Sequence, residues 1–207
     1  MTARSAPTTM HENIGATGIP RRIVLTGFMG SGKSTVGPLL ARRLGWQFID
    51  VDDVIAAEAG CSIPEIFARE GETAFRERER ATIARLAGAG TLVLALGGGA
   101  IETESTRTLL LQARETLLVH LQVELETTLA RCGGTDHQRP ILADRANLEG
   151  RYRRRLPLYR TAHVSIAVDA LTPEETVAAI LRAAPSLDRA GCPPGLAPAD
   201  DRDQGPS

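Results

Sequence analysis

Residues 27 to 34 read Gly27-Phe28-Met29-Gly30-Ser31-Gly32-Lys33-Ser34, which fills every required place of the pattern G-x-x-x-x-G-K-[ST]. The residue types explain what such a stretch can do. Glycines let the backbone turn with its N–H groups inward, where they cradle phosphate oxygens. Lys33 at its place reaches the outer phosphates, and the hydroxyl of Ser34 ligates magnesium. An ordinary glycine turn is the competing reading, and the flanks weigh against it. Arg22-Ile23-Val24-Leu25-Thr26 ahead of the loop is a short, apolar, β-branched run, which reads as a buried strand. Behind it, Val36, Leu39, Leu40 and Leu44 recur at helical spacing from Ser34 on, and the N-terminus of that helix adds positive potential at the loop.

Other chemistry-bearing residues follow at the expected carboxyl ends of strands, where open α/β sheets hold their ligands. Phe48, Ile49 and Val51 suggest a strand ending in acids, and Asp50 and Asp52 share a face of an extended chain. One acid can support a metal and the other can accept a proton; capping of the next helix by Asp52 or Asp53 is the alternative use. Thr91 to Leu96 reads as a central buried strand that runs into Gly97-Gly98-Gly99, more glycine than a turn requires, which suits close approach to a ligand. Arg76 lies in a mixed-charge run that by spacing alone reads as a solvated helix face. His120, inside the strand Thr116 to Leu121, is given no role. Arg139 stands before Pro140 in a stretch from 132 to about 147 without periodicity, a candidate lid. Arg151, Arg153, Arg154 and Arg155 make a basic helix, with Arg151 and Arg155 on one face and a stop expected near Leu156, before Pro157.

The elements that must position these residues alternate between strand and helix. A short helix from Ser62, with Pro64 and Glu65 in capping places, is expected to end near Arg69 and to restart after Gly71-Glu72 as a helix to Leu86, anchored by Phe75 and Ile83. The last strand, Val164 to Val168, precedes a helix opened by Thr172-Pro173-Glu174-Glu175. Residues 1–20 and 185–207, rich in small residues, proline and glycine, are expected to be disordered, which leaves one domain over 21–184. Lysine plus arginine (24) nearly balances aspartate plus glutamate (25), which argues against nucleic acid as a partner, although the basic helix alone would permit it. Cys61, Cys132 and Cys192 have neither disulfide nor zinc spacing. No stretch approaches the apolar length of a membrane span, and the first 20 residues lack an apolar signal core.

In order along the chain, the phosphate loop continuing through Thr35-Val36-Gly37, Phe48-Ile49-Asp50-Val51-Asp52, Ser62-Ile63-Pro64-Glu65-Ile66-Phe67, Gly71-Glu72 with Phe75-Arg76 and Glu79, Gly97-Gly98-Gly99, Arg139-Pro140-Ile141-Leu142 and Arg155-Leu156-Pro157-Leu158-Tyr159 together resemble shikimate kinase. The glycine triplet, the Phe-Arg pair and the Arg-x-Pro-Leu-Tyr element make the match specific; gluconate kinase, another small-molecule kinase, shares only the loop and the general architecture. Ile141 stands where the family often has leucine.

The resemblance implies a P-loop α/β/α fold like that of nucleoside monophosphate kinases, with a five-stranded parallel sheet in the order 2-3-1-4-5. It implies a transferase that moves the γ-phosphoryl of ATP to the 3-hydroxyl of shikimate in aromatic amino acid biosynthesis, with magnesium as cofactor, in a cytoplasmic monomer whose partners are small molecules. By motif, Gly30, Ser31, Gly32, Lys33, Ser34 and Thr35 would bind the ATP phosphates, and Ser34 and Asp50 the metal. Asp52 would bind the shikimate hydroxyls and act as base. Arg76 and Arg155 would hold the carboxylate, with backbone contact from Gly98 and Gly99. Arg139 would close over the phosphates, and Arg131 would lie near the adenine. A carboxylate suits forked guanidinium donors, and a migrating phosphoryl group suits concentrated positive charge. A non-catalytic metabolite sensor on the same fold is the alternative from another class, and the retained Lys33, Asp52 and Arg139 weigh against it.

Overall fold

The computed structural model describes residues 8–10, 20–132 and 145–184. Most of the expected lid, with Arg139, lies outside the described residues, as do 185–207 and most of 1–20. Five parallel strands form the core of the sheet: β2 (Arg22–Thr26), β3 (Gln47–Asp50), β4 (Leu92–Ala95), β5 (Thr116–Gln122) and β6 (Val164–Ala167). Counted among themselves they stand in the order 2-3-1-4-5, as the resemblance implies. A sixth strand, β1 (Thr8–Met10), pairs antiparallel with β6, with Thr9 opposite Ser165. It adds a short antiparallel edge strand to the five parallel strands expected, within a segment expected to be disordered. Three residues carry too little pattern to stand out in sequence, and it is the open edge of β6 that offers them backbone partners.

Burial follows hydrophobicity. Ile23, Val24 and Leu25 of β2, Val93 and Leu94 of β4, and Leu118 and Val119 of β5 have no exposed surface. Such continuous apolar runs need cover on both faces, which βαβ crossovers supply. The helices are α1 (Lys33–Leu44), α2 (Val51–Ala59), α3 (Ile63–Ala87), α4 (Glu104–Gln112), α5 (Leu125–Cys132), α6 (Arg145–Tyr159) and α7 (Pro173–Ala183). Thr172 and Glu175 close the expected capping box of α7, and Ser62 with Glu65 that of α3. The expected break at Gly71 is a kink inside α3, where φ is 81° and ψ 172°, rather than a gap between two helices. None of the described helices is long and apolar enough to cross a membrane.

Two boundaries differ from expectation. Helix α6 does not stop before Pro157 but runs on to Tyr159. A proline there removes one hydrogen bond near the helix end, and burial of Tyr159, 1% exposed, offsets that loss. The acid that caps α2 is Asp50, not Asp52 or Asp53. Its carboxylate accepts the N–H of Asp52 at 3.1 Å, so the strand ends one residue earlier and Asp52 lies in the first helical turn. The two acids are therefore brought together by a strand-to-helix junction, not by strand alternation.

Candidate active site

The phosphate loop lies between β2 and α1, beyond the carboxyl end of β2, where the sheet's connections diverge to either side. Gly27 has φ 146°, and a Cβ there would stand 2.6 Å from the carbonyl oxygen of Leu121. Gly32 caps α1 with φ 93° and no side-chain hydrogen bond, so the first N–H groups of α1 are left to an outside acceptor. Lys33 Nζ curls over the loop and donates to the carbonyls of Gly27 (2.8 Å) and Phe28 (3.1 Å) and to Ser31 Oγ (3.4 Å). The Ser34 hydroxyl donates to Asp50 Oδ2 at 3.3 Å, so the two residues assigned to a metal are adjacent.

A cleft of about 1290 Å³ joins this loop to the rest of the candidate site. Gly30, Gly32, Lys33, Ser34, Thr35, Asp50, Asp52, Arg76, Gly98, Arg131 and Arg155 all line it. The sequence-predicted residues thus converge, except Ser31 and Gly99, which lie behind the surface, and Arg139, outside the described residues. Gly99 still serves the site: a Cβ on it would stand within 2.2 Å of the Arg76 guanidinium, so only glycine lets that arginine lie across the backbone.

The electrostatics of the cleft centre on buried acids. Asp52 Oδ1 has no hydrogen-bond partner among the described residues. Burial, then the charge of Asp50, pushes its carboxyl above the usual range, against the pull of Lys33 and Arg76. Asp50 is raised too, mainly by burial, with its hydrogen bond from Asp52 opposing. Arg76 Nη1 donates to Glu79 Oε2 at 2.7 Å, and Arg76 Nη2 to Glu72 Oε1 at 3.4 Å. Glu79 is 1% exposed, and burial pushes its carboxyl up to about 7 in spite of Arg76. Arg155 Nη2 donates to Glu102 Oε2 at 2.8 Å. Burial raises the Glu102 carboxyl, but its bond to Arg155 and the charges of Arg155 and Arg154 outweigh that and leave it low. The two guanidinium groups assigned to a carboxylate are thus each fixed by a glutamate.

Several of these partners escaped the sequence reading. Glu79 is named in the motif that carries the resemblance but is given no role there, and by charge pattern it belongs to a solvated run; its signal is the three-residue step from Arg76 toward the buried side marked by Phe75 and Ile83. Glu102 carried no signal. Gly97 matters as much as its two neighbours, because a Cβ there would meet Asp52 Oδ1 at 2.8 Å and Glu79 Oε1 at 3.1 Å. Tyr159 donates its hydroxyl to the Gly98 carbonyl at 2.6 Å and stacks on His120, centroids 5.2 Å apart. His120 is buried, with Nδ1 3.1 Å from Ser165 Oγ. Arg131 donates to the carbonyls of Gly30 (3.1 Å) and Val168 (3.3 Å), and lines a second cavity of about 380 Å³ with Thr35, Leu171 and Pro173.

The arrangement can hold a polyphosphate at the loop and an anion between two arginines, with an unpartnered carboxylate between them. Residues 29–185 match the family described as shikimate kinase. The shikimate kinase of Salinibacter ruber is 44% identical over 162 residues, which cover 72% of this chain and 78% of that protein. That of Moorella thermoacetica is 46% identical over 153 residues, 73% of this chain and 87% of that one. The solved structure of shikimate kinase from Acinetobacter baumannii in complex with shikimate aligns with a TM-score of 0.71 at 39% identity, covering 79% of this chain and 92% of that chain. Sequence, fold and site geometry agree, and the chain belongs to the shikimate kinase family.

Proposed function

We propose that the protein transfers the γ-phosphoryl group of ATP to the 3-hydroxyl of shikimate, giving ADP and shikimate 3-phosphate, a step of aromatic amino acid biosynthesis. The observation that carries this reading is the placement of Asp52. Its carboxylate oxygen, without a partner among the described residues, lies in the cleft that also holds the phosphate loop and the guanidinium groups of Arg76 and Arg155. An acceptor hydroxyl donates to Asp52, which holds it toward the phosphates and takes its proton as the new bond forms. The carboxylate of the acceptor binds the forked donors of Arg76 and Arg155, while Glu79 and Glu102 fix the aim of those forks. Gly98 brings backbone to the ring, and Gly99 leaves room for the Arg76 guanidinium.

Lys33, the loop N–H groups and Arg139 bind the phosphates and stabilise charge on the migrating group. The cavity beside Arg131 takes the adenine. Ser34 and Asp50 fit magnesium, a hard ion that with phosphates bound needs only one or two protein oxygens. Bound there, the ion neutralises charge on the phosphates. The protein acts as a cytoplasmic monomer on two small molecules, and its near balance of charge supports a role apart from nucleic acid and membranes.

ADP release by the purified protein with ATP and magnesium, measured with and without shikimate, tests the reading, with gluconate and AMP as control acceptors. Release that depends on shikimate alone supports it. Nucleotide binding without shikimate-dependent release would move the function to another acceptor or to a sensor.

A further inference from the structure

Helix α6 borders the cleft and is pinned near its middle and at its end. Near its middle, Tyr152 donates its hydroxyl to the Val123 carbonyl at 2.9 Å and sets its ring edge-on to Phe28 of the phosphate loop, centroids 5.3 Å apart. At its end, Tyr159 is tied to Gly98. The cleft-lining arginines of this helix are therefore graded. Arg155 stands beside the glycine triplet, and Arg151, one turn or about 6 Å earlier, stands toward the phosphate loop.

Their partners differ. Arg155 is neutralised by Glu102, Arg154 lies 3.8 Å from the same carboxylate, and Arg153 pairs with Glu149 outside the cleft. Arg151 lines the cleft, is half-buried, and has no hydrogen bond or ion pair among the described residues. A guanidinium kept out of full hydration without a counter-ion favours an anion, and its fork matches phosphate oxygens.

We infer that Arg151 is a further phosphate-binding residue, which contacts the terminal phosphoryl group of the nucleotide between Lys33 and the acceptor. The inference rests on the proposed function for the identity of the nucleotide. It places Arg151 with the phosphates, and not with Arg76 and Arg155 on the carboxylate.

Arg151→Gln, Arg151→Lys and, as a control outside the cleft, Arg153→Gln are compared with the unmodified protein. Calorimetry gives dissociation constants for ATP and ADP with magnesium, and turnover gives kcat and the KM for shikimate. Losing a charge-assisted contact to the terminal group should weaken ATP about tenfold or more, with ADP within about twofold. The kcat should fall by about 10- to 100-fold, with the shikimate KM within about twofold. Arg151→Lys should recover part of both losses, and Arg153→Gln should change neither. ATP affinity and kcat within about twofold in Arg151→Gln would overturn the inference, as would equal weakening of ATP and ADP, or a raised shikimate KM with ATP binding unchanged. The nucleotide affinities need no acceptor, so they decide the role of Arg151 even if shikimate-dependent turnover were absent and the functional reading failed.

Discussion

Replacing Glu79 by glutamine separates what this buried acid does for the fold from what it does for the site. Glu79 faces Arg76 on its own helix, Asp52 on α2 and Arg155 on α6. Its carboxyl titrates at about 7 in the folded chain, against 4.5 unperturbed. A raised acid contributes fully below its unfolded pKa and loses that contribution as pH rises through the folded value. Applying linkage to those two values, the folded protein loses about 1 kcal/mol through this residue at pH 5 and about 3 kcal/mol at pH 8. Glutamine keeps the shape and an oxygen acceptor for Arg76 but does not titrate. Its stability relative to the unmodified protein should therefore improve by about 2–3 kcal/mol between pH 5 and pH 8.

Urea denaturation of both proteins at the two pH values measures that difference, and a common offset from repacking cancels out of it. The same change replaces a charged partner of Arg76 by a neutral one, which forfeits about 1 kcal/mol of hold on the guanidinium. The KM for shikimate should then rise about fivefold, on the variant made relatively more stable at high pH. A stability difference that stayed constant within about 0.5 kcal/mol between pH 5 and pH 8 would refute the reasoning, because Glu79 would then titrate alike in both states.

Arg76→Lys keeps the charge but loses the fork, and should weaken shikimate binding by about 1.5–3 kcal/mol; an unchanged KM for shikimate would remove Arg76 from the carboxylate site. Gly97→Ala puts a methyl 2.8 Å from Asp52 Oδ1 and 3.1 Å from Glu79 Oε1, so both acids must shift, and kcat should fall at least about tenfold while far-ultraviolet circular dichroism stays native. Burial, with the charges of Arg160 and Lys33 adding, holds His120 down to about 4. Neutral in the fold and charged when unfolded, it should cost the protein about 3 kcal/mol as pH falls from 6.5 to 4, and a denaturation series of His120→Asn should lack that slope. Glu79 has the opposite slope over nearly the same window, so the unmodified protein should show a flatter pH profile than either variant.

The fold was legible where one signal sufficed. Apolar runs marked β2, β4, β5 and β6 to within about two residues, and capping patterns marked the starts of α3 and α7. What escaped depended on tertiary context. Strand β1 exists only because β6 offers an edge, and α6 passes its proline only because Tyr159 has a buried place to reach. In the site, most residues that the motifs single out line one cleft, whereas the partners that fix two of their side chains were given no role from sequence. Glu79 and Glu102 lie in separate parts of the chain, and only folding shows that each points at an arginine. Arg76 was hidden in a charged run for the same reason: period alone cannot tell a solvated charge from one aimed into a cleft.

The costly features of the site and its affinity have one physical source. Asp52 Oδ1 and Glu79 Oε1 are both buried without a partner among the described residues, and both face the space beside the Gly97 α-carbon. Leaving a buried acceptor unmade costs about 1–3 kcal/mol, and two carboxylates across one glycine also repel. An apolar filling would be more stable but would bind nothing polar. An acceptor that brings hydroxyl donors between these oxygens and a carboxylate to Arg76 relieves both costs together. Under the proposed function, part of the binding free energy is therefore strain of the empty site being released. A deoxy analogue that lacks the hydroxyl facing Asp52 should lose more than the roughly 1 kcal/mol of an ordinary hydrogen bond, because the acid would stay buried and unpaired.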